Sequence, residues 1–197
     1  MSSVLLAPVG NPASLSESRV TSVQPILSAP QRCQRAMASR ADIYADGSNL
    51  IFHNQTRPRF EVLLAIASDV IAKGFDLGCI FDGSVTRRLR EEQGVAQADA
   101  CEYLLSRYRN TFTKVSCIKA DVFLLALADR YVAQVISDDM YRPYEGDYDW
   151  LKDEGRIIPV NVFRDEALVG SEWVDIDNDL DRSMSKLEKL LNEGSVS

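Results

Sequence analysis

Ile43-Tyr44-Ala45-Asp46-Gly47-Ser48-Asn49 sets a pattern that the chain repeats: a short apolar run ends in an acid followed by small polar residues. The pattern returns at Cys79-Ile80-Phe81-Asp82-Gly83-Ser84 and at Val135-Ile136-Ser137-Asp138-Asp139. Runs of this length, flanked by longer helical patterns, read as buried parallel strands whose carboxyl ends deliver carboxylates into a crevice. That edge is where α/β sheets place their sites. Carboxylates converging there repel one another unless a cation lies between them, and hard oxygen ligands suit Mg²⁺ or Mn²⁺. The expectation is a metal site that handles phosphate.

Working outward, the strand at 42–45 is followed by a loop through Pro58 and a helical pattern over 60–73. That helix carries Val62, Leu63, Ile66, Val70 and Ile71 on one stripe and has Gly74 as its C-cap candidate. A strand at 77–81 leads to helical stretches at 86–92 and 98–108, with a short strand expected at 114–117. A helix at 119–128 feeds the strand at 133–136. The segment 156–163 reads as a last core strand because Ile157, Ile158, Val160 and Val162 are β-branched. Residues 179–192 read as a charged amphipathic helix. Alternating strands and helices imply a parallel sheet covered on both faces, a three-layer α/β/α sandwich of the PIN-like or Rossmann-like kind. The expected organisation is a flexible leader over 1–40, one domain over 41–170 and a C-terminal charged helical extension over 171–197.

Bulk composition narrows the classes. The 197 residues, 46% of them hydrophobic, can bury one substantial core without a second domain. The formal charge is -7, of which the first 40 residues hold +3, leaving -10 on the remainder. An acidic body argues against broad electrostatic binding to nucleic acid, though a local basic lip beside an acidic centre is compatible with it. The leader is rich in Ser, Ala, Pro and Gln, and its Ser and Arg bias faintly resembles a transit peptide. Cys33, Cys79, Cys101 and Cys117 lack CxxC or metal-ligand spacing and read as reduced thiols, which suits a cytoplasmic protein. No stretch has the roughly 18 uninterrupted apolar residues of a membrane span.

Among the chemical candidates, Asp46-Gly47-Ser48-Asn49 is the sharpest. Gly47 lets the chain leave the strand in a tight turn, while Ser48 and Asn49 can steady Asp46 or a metal-bound water. The same residues also make ordinary turns and helix caps. Asp121 opens a helix, where the macrodipole favours an acid with or without a ligand. Ser137, Asp138 and Asp139 follow a strand. Arg87, Arg88 and Arg90 are either a solvated helix face or a phosphate grip near Asp82. Tyr141 and Tyr144 offer rings that either stack a base or pack. His53, the only histidine, lies in a polar loop and reads as a bystander.

Taken in order, the Asp46–Asn49 quartet, the helix start Ala120-Asp121-Val122-Phe123-Leu124-Leu125-Ala126-Leu127-Ala128 and the run from Val135 to Arg142 resemble the NYN branch of the PIN-like ribonucleases, particularly Regnase-type domains. The segment from Phe81 to Leu89 resembles the second-strand region of bacterial members. The likeness covers about residues 41–165. It implies a metal-dependent endoribonuclease acting on single-stranded or structured RNA, with Asp46, Asp121 and Asp139 holding Mg²⁺ or Mn²⁺ and Asn49 supporting them. It also implies an RNA-facing role for Ser48, Asp82, Arg87, Arg88 and Arg142, and homodimers as an assembly to be expected. Two positions depart from the family: Asp138 stands where Asn is usual, and Pro143 where a further Asp is usual. Ser137, Asp138, Glu145 and Asp147 are the auxiliary candidates around that gap. The rival expectation is the same fold with weakened chemistry, an RNA-binding or scaffold module. An aspartyl-nucleophile phosphatase is disfavoured because Ser48 stands where its second Asp belongs, and no P-loop or GxGxxG is present.

Overall fold

A computed structural model describes residues 40–52 and 57–194. The expected leader, apart from Arg40, lies outside these residues, as do Cys33 and His53. Five parallel strands, β1 (Ile43–Asp46), β2 (Leu77–Asp82), β3 (Phe112–Val115), β4 (Gln134–Ile136) and β5 (Ile157–Ile158), lie in the order β3-β2-β1-β4-β5. The helices are α1 (Gly47–Phe52), α2 (Phe60–Ala72), α3 (Val85–Glu92), α4 (Val95–Arg107), α5 (Ala120–Tyr131) and α6 (Leu180–Gly194). The fold is the expected three-layer α/β/α sandwich.

Alternation along the strands sorts the core into two layers. Ile43, Ala45, Cys79, Phe81, Phe112 and Ile136 pack with apolar residues of α1, α2, α3, α4 and α6. Their neighbours Tyr44, Ile80, Val115 and Val135 face the other way, onto α5 and onto Tyr141, Trp150 and Leu151. This is the period-two pattern of strands buried on both faces. Tyr44 is fully buried beside Gly78, its partner in the parallel register, and a Cβ at Gly78 would stand 2.7 Å from the Tyr44 ring.

Three boundaries differ from the sequence expectation. Helix α1 begins directly after β1, where a loop was expected. The single strand expected at 156–163 is two: β5 joins the parallel sheet, while β6 (Val160–Phe163) belongs to a second, antiparallel sheet with β7 (Glu166–Val169) and β8 (Glu172–Asp175). Pro159 sits at the break; lacking an N–H and with φ fixed by its ring, it interrupts a ladder and lets the chain change sheets. The boundary drawn at 170 runs through the β7–β8 hairpin, where Val169 pairs with Glu172 and Gly170 takes a φ of 61°. That positive φ is what a two-residue hairpin loop beginning with Gly requires. Helix α6 follows and buries Leu187 and Leu191 in the first core layer.

Cys79 and Cys101 are free and buried. Cys117, by contrast, is disulfide-bonded, which corrects the reading of four reduced thiols. Strand β3 ends at Val115, so Cys117 is not in a buried strand but exposed in the following loop. Among the described residues, no helix is long and apolar enough to cross a membrane.

Candidate active site at the carboxyl edge of the sheet

The sheet order reverses direction between β1 and β4: β2 and β3 lie to one side of β1, and β4 and β5 to the other. At such a switch point the loops leaving the two strands part and open a crevice. Asp46 ends β1, and Ser137, Asp138 and Asp139 leave β4 beside it. Asp82 ends the adjacent β2, and Asp121 opens α5 after β3. Four acids from four successive crossovers therefore stand at one edge.

Asp46 is the most enclosed of them, with 7% of its surface exposed. Its Oδ1 accepts the Asn49 backbone N–H at 2.9 Å, the bond that caps α1, and its Oδ2 accepts the Tyr141 hydroxyl at 3.0 Å. Burial pushes the Asp46 carboxyl up to about 6 against the pull of these two donors, and the negative charges of Asp121 and Asp82 push the same way. Asp121 is also raised, first by burial and then by Asp82 and Asp139, while Lys119 draws it down. Asp139 is exposed; its Oδ1 accepts the Tyr141 N–H at 2.8 Å, and its own N–H is held by Ser137 Oγ at 3.1 Å. Among the described residues, no basic side chain forms an ion pair with any of the four.

Of the two roles the sequence left open for Tyr141, stacking a base or packing, the structure shows packing. Tyr141 is fully buried, so it cannot stack on a base; instead its hydroxyl binds Asp46 and its N–H binds Asp139. Burial raises its own pKa well above the ordinary value, aided by Asp46, so the hydroxyl keeps its proton to donate. It takes a φ of 51°, a conformation uncommon for a bulky side chain, and the two bonds to the acids help to hold it there. No pattern in the sequence announces this role. Tyr144, half-buried, has its pKa raised first by burial and then by Asp121 and Asp139.

The supporting polar residues work inside the edge. Ser48 is buried and its Oγ accepts the Asp82 N–H at 2.8 Å, so it joins the start of α1 to the end of β2. Asn49 Oδ1 accepts the Asp138 N–H at 3.0 Å and ties the loop after β4 to α1. Gly47 has no positive φ; its role is space, since a Cβ would lie 2.3 Å from the Phe81 ring. The expected gap-fillers Glu145 and Asp147 lie on and just after the 3₁₀ turn that follows Tyr141, and the charge of Asp147 acts on Tyr148. Arg87 and Arg88 pair with Glu91 and Glu92 one helical turn away, and Arg88 also lies 3.7 Å over the Phe52 ring. Arg142 is exposed on the 3₁₀ turn that follows Tyr141.

The donor set, four carboxylates gathered at one edge with Asp46 and Asp121 raised by burial and by neighbouring acids, is chemically that of a hard divalent cation. As the side chains stand, no group of three or more His, Cys, Asp or Glu among the described residues is arranged to hold a metal ion. The fold and the acidic switch-point crevice define an α/β/α protein of the doubly wound type. No family model matches the chain, and no curated protein matches it significantly.

Proposed function

We propose that the chain is a metal-dependent endoribonuclease that cuts single-stranded or structured RNA. One observation carries this reading: Asp46 is held above its ordinary range by burial and by Asp121 and Asp82, at the sheet's switch point, with no basic partner among the described residues. Such a cluster is stabilised by a divalent cation more than by any other small partner. Asp46, Asp121 and Asp139 would hold Mg²⁺ or Mn²⁺, with Asp82 beside them. Bound there, the cation would lower the pKa of a water and offset charge developing on the phosphoryl oxygens. The chain's own residues do the positioning. Asn49 and Tyr141 orient Asp46 through its two oxygens, Ser137 and Tyr141 hold the Asp139 loop, and Arg142, exposed on the next turn, would be the residue to meet a phosphate. Cytoplasmic location and a homodimeric state belong to the same proposal, to be read by fractionation and by solution mass.

The test is cleavage of a labelled single-stranded RNA by the full chain with Mn²⁺. Asp46→Asn is expected to lower the rate by about 10³-fold or more, the scale of losing a principal electrostatic element of a site. Cleavage that survives both Asp46→Asn and a chelator overturns the proposal. The absence of a three-ligand arrangement among the described residues and the presence of Pro143 favour a second reading, a catalytically weakened RNA-binding or scaffold module. Calorimetry separates the two: heat of Mn²⁺ binding that Asp46→Asn removes supports the nuclease, and none supports the module.

A further inference from the structure

Beside the acidic crevice lies a groove of about 210 Å³ lined by Asn49, Leu50 and Asp138 on one side and by Val160, Asn161, Val162 and Phe163 of β6 on the other. Two of these residues, Asn49 and Asp138, form the hydrogen bond that ties the β4 loop to α1, so the groove is continuous with the candidate site. Its far wall is the antiparallel sheet. Strand alternation there turns Val160, Ala167 and Val174 into the core and leaves Asn161, Phe163, Glu166, Trp173 and Asp175 exposed on the opposite face.

Phe163 and Trp173 are half or more exposed, at 51% and 58%, yet they lean across β7 to bring their ring centroids to 5.4 Å at a tilt of 52°. Two large rings held together in water, with Phe163 at the end of a groove that starts at the acids, make a platform with an open π-face. Stacking on aromatic rings is how proteins hold the bases of single strands, and it works for any base. The Asn161 amide beside Phe163 offers both a donor and acceptors to a base edge. Arg164, exposed and next in sequence, offers a cation to the backbone.

We propose that Phe163 and Trp173 form a stacking subsite for an unpaired nucleobase near the phosphate to be cut, reached through the groove from Asn49 and Asp138. The inference rests on the nuclease reading, and it names the substrate class as single-stranded at that position. The platform takes the stacking role that the sequence offered to Tyr141. A duplex keeps its bases stacked on one another and gains little from it.

The experiment uses the full chain carrying Asp46→Asn, so that RNA is not consumed, with octauridine and octaadenosine as probes. Both oligonucleotides are expected to quench Trp173 emission, and a self-complementary RNA duplex to quench it far less. Phe163→Ala and Trp173→Ala are each expected to weaken oligonucleotide binding by about tenfold, the scale of one lost base stack. Trp173→Phe is expected to retain binding, read by anisotropy of a labelled oligonucleotide, while losing the quench. In the otherwise unaltered chain, the same alanine variants are expected to raise KM more than they lower kcat. Unchanged KM and affinity in the double alanine variant, with an intact circular dichroism spectrum, overturn the subsite and leave the nuclease reading standing. Quenching without any cleavage by the unaltered chain supports the subsite and overturns the nuclease reading. A halved solution mass on double substitution, without quenching by RNA, makes the pair a contact between copies of this chain and overturns the subsite.

Discussion

Two acidic regions of this chain lie close together in sequence and are treated in opposite ways. On the α3–α4 face, Glu91, Glu92, Asp99 and Glu102 are matched by arginines: Arg87 to Glu91 at 3.2 Å, Arg88 to Glu92 at 3.5 Å, and Arg90 to Asp99 and Glu102 at 3.1 and 3.5 Å. At the carboxyl edge of the sheet, Asp46, Asp82, Asp121 and Asp139 act on one another, and a backbone hydrogen bond and the charge of Lys119 draw Asp121 down only in part. The arginines begin five residues after Asp82, so the edge is not short of basic residues nearby in sequence. The difference separates a face where charge is matched by partners from an edge where it is not. Exposed pairs on the helix face contribute little, about 0–1 kcal/mol each. An unpaired carboxylate as buried as Asp46 carries a real cost.

That cost should be measurable as a pH dependence, the largest stability effect expected. Asp46 rises from 3.8 to about 6 on folding, so between those values the native state binds the proton more tightly than the unfolded chain. The contribution of Asp46 to stability without divalent cations is therefore fully present below about pH 4 and is lost as pH rises through about 6, by on the order of 3 kcal/mol. Asp46→Asn removes this loss: the variant should melt higher than the unaltered chain at pH 7.5 and lose the advantage near pH 4. Thermal melts across that range in chelator check it, and equal melting curves at pH 7.5 would mean that the edge is compensated after all. Gly47→Ala comes next, because its Cβ would enter the fully buried Phe81 ring. A loss of about 1–3 kcal/mol is expected in urea unfolding, with part of it recovered when Phe81→Leu is added.

The sequence made the edge legible in outline, and particular residues show where legibility stopped. Asp46, Asp82 and Asp139 could be placed because a short apolar run ending in an acid has one common meaning in an alternating α/β pattern. The helix start at Asp121 was equally readable. The antiparallel sheet was missed although its signals were present: Pro159 interrupts the run at 156–163, and Gly170-Ser171 separates two alternating segments. β-branching at Ile157, Ile158, Val160 and Val162 outweighed the proline, yet a proline in a strand of the central sheet is what needed explaining. Tyr141 is a different case. Its hydroxyl meets Asp46 across 95 residues of sequence, and no local pattern encodes a contact of that span. Arg87, Arg88 and Arg90 could be read as a solvated helix face or as a grip because neighbouring acids on a helix surface can be either partners or bystanders until the rotamers are seen.

Tyr141→Phe and Arg90→Ala sharpen the comparison at its smaller end. Removing the Tyr141 hydroxyl leaves Asp46 Oδ2 without its donor while the ring still fills the core. The loss of a ligand-orienting partner is expected to weaken Mn²⁺ binding or cleavage by about 10–100-fold. Stability should change by only about 1 kcal/mol, so calorimetric affinity and urea midpoint together separate orientation from folding. Arg90→Ala breaks two ion pairs on the helix face, but both are exposed, and less than about 1 kcal/mol should be lost. Cleavage and its dependence on salt should be unchanged, because a guanidinium already held between Asp99 and Glu102 has little left to offer a phosphate. If Arg90→Ala instead weakened RNA binding and flattened its salt dependence, the guanidinium would be exchanging its carboxylates for phosphate. The α3–α4 face would then be part of the RNA track, and the contrast between the two regions would be one of timing, before and after RNA binds.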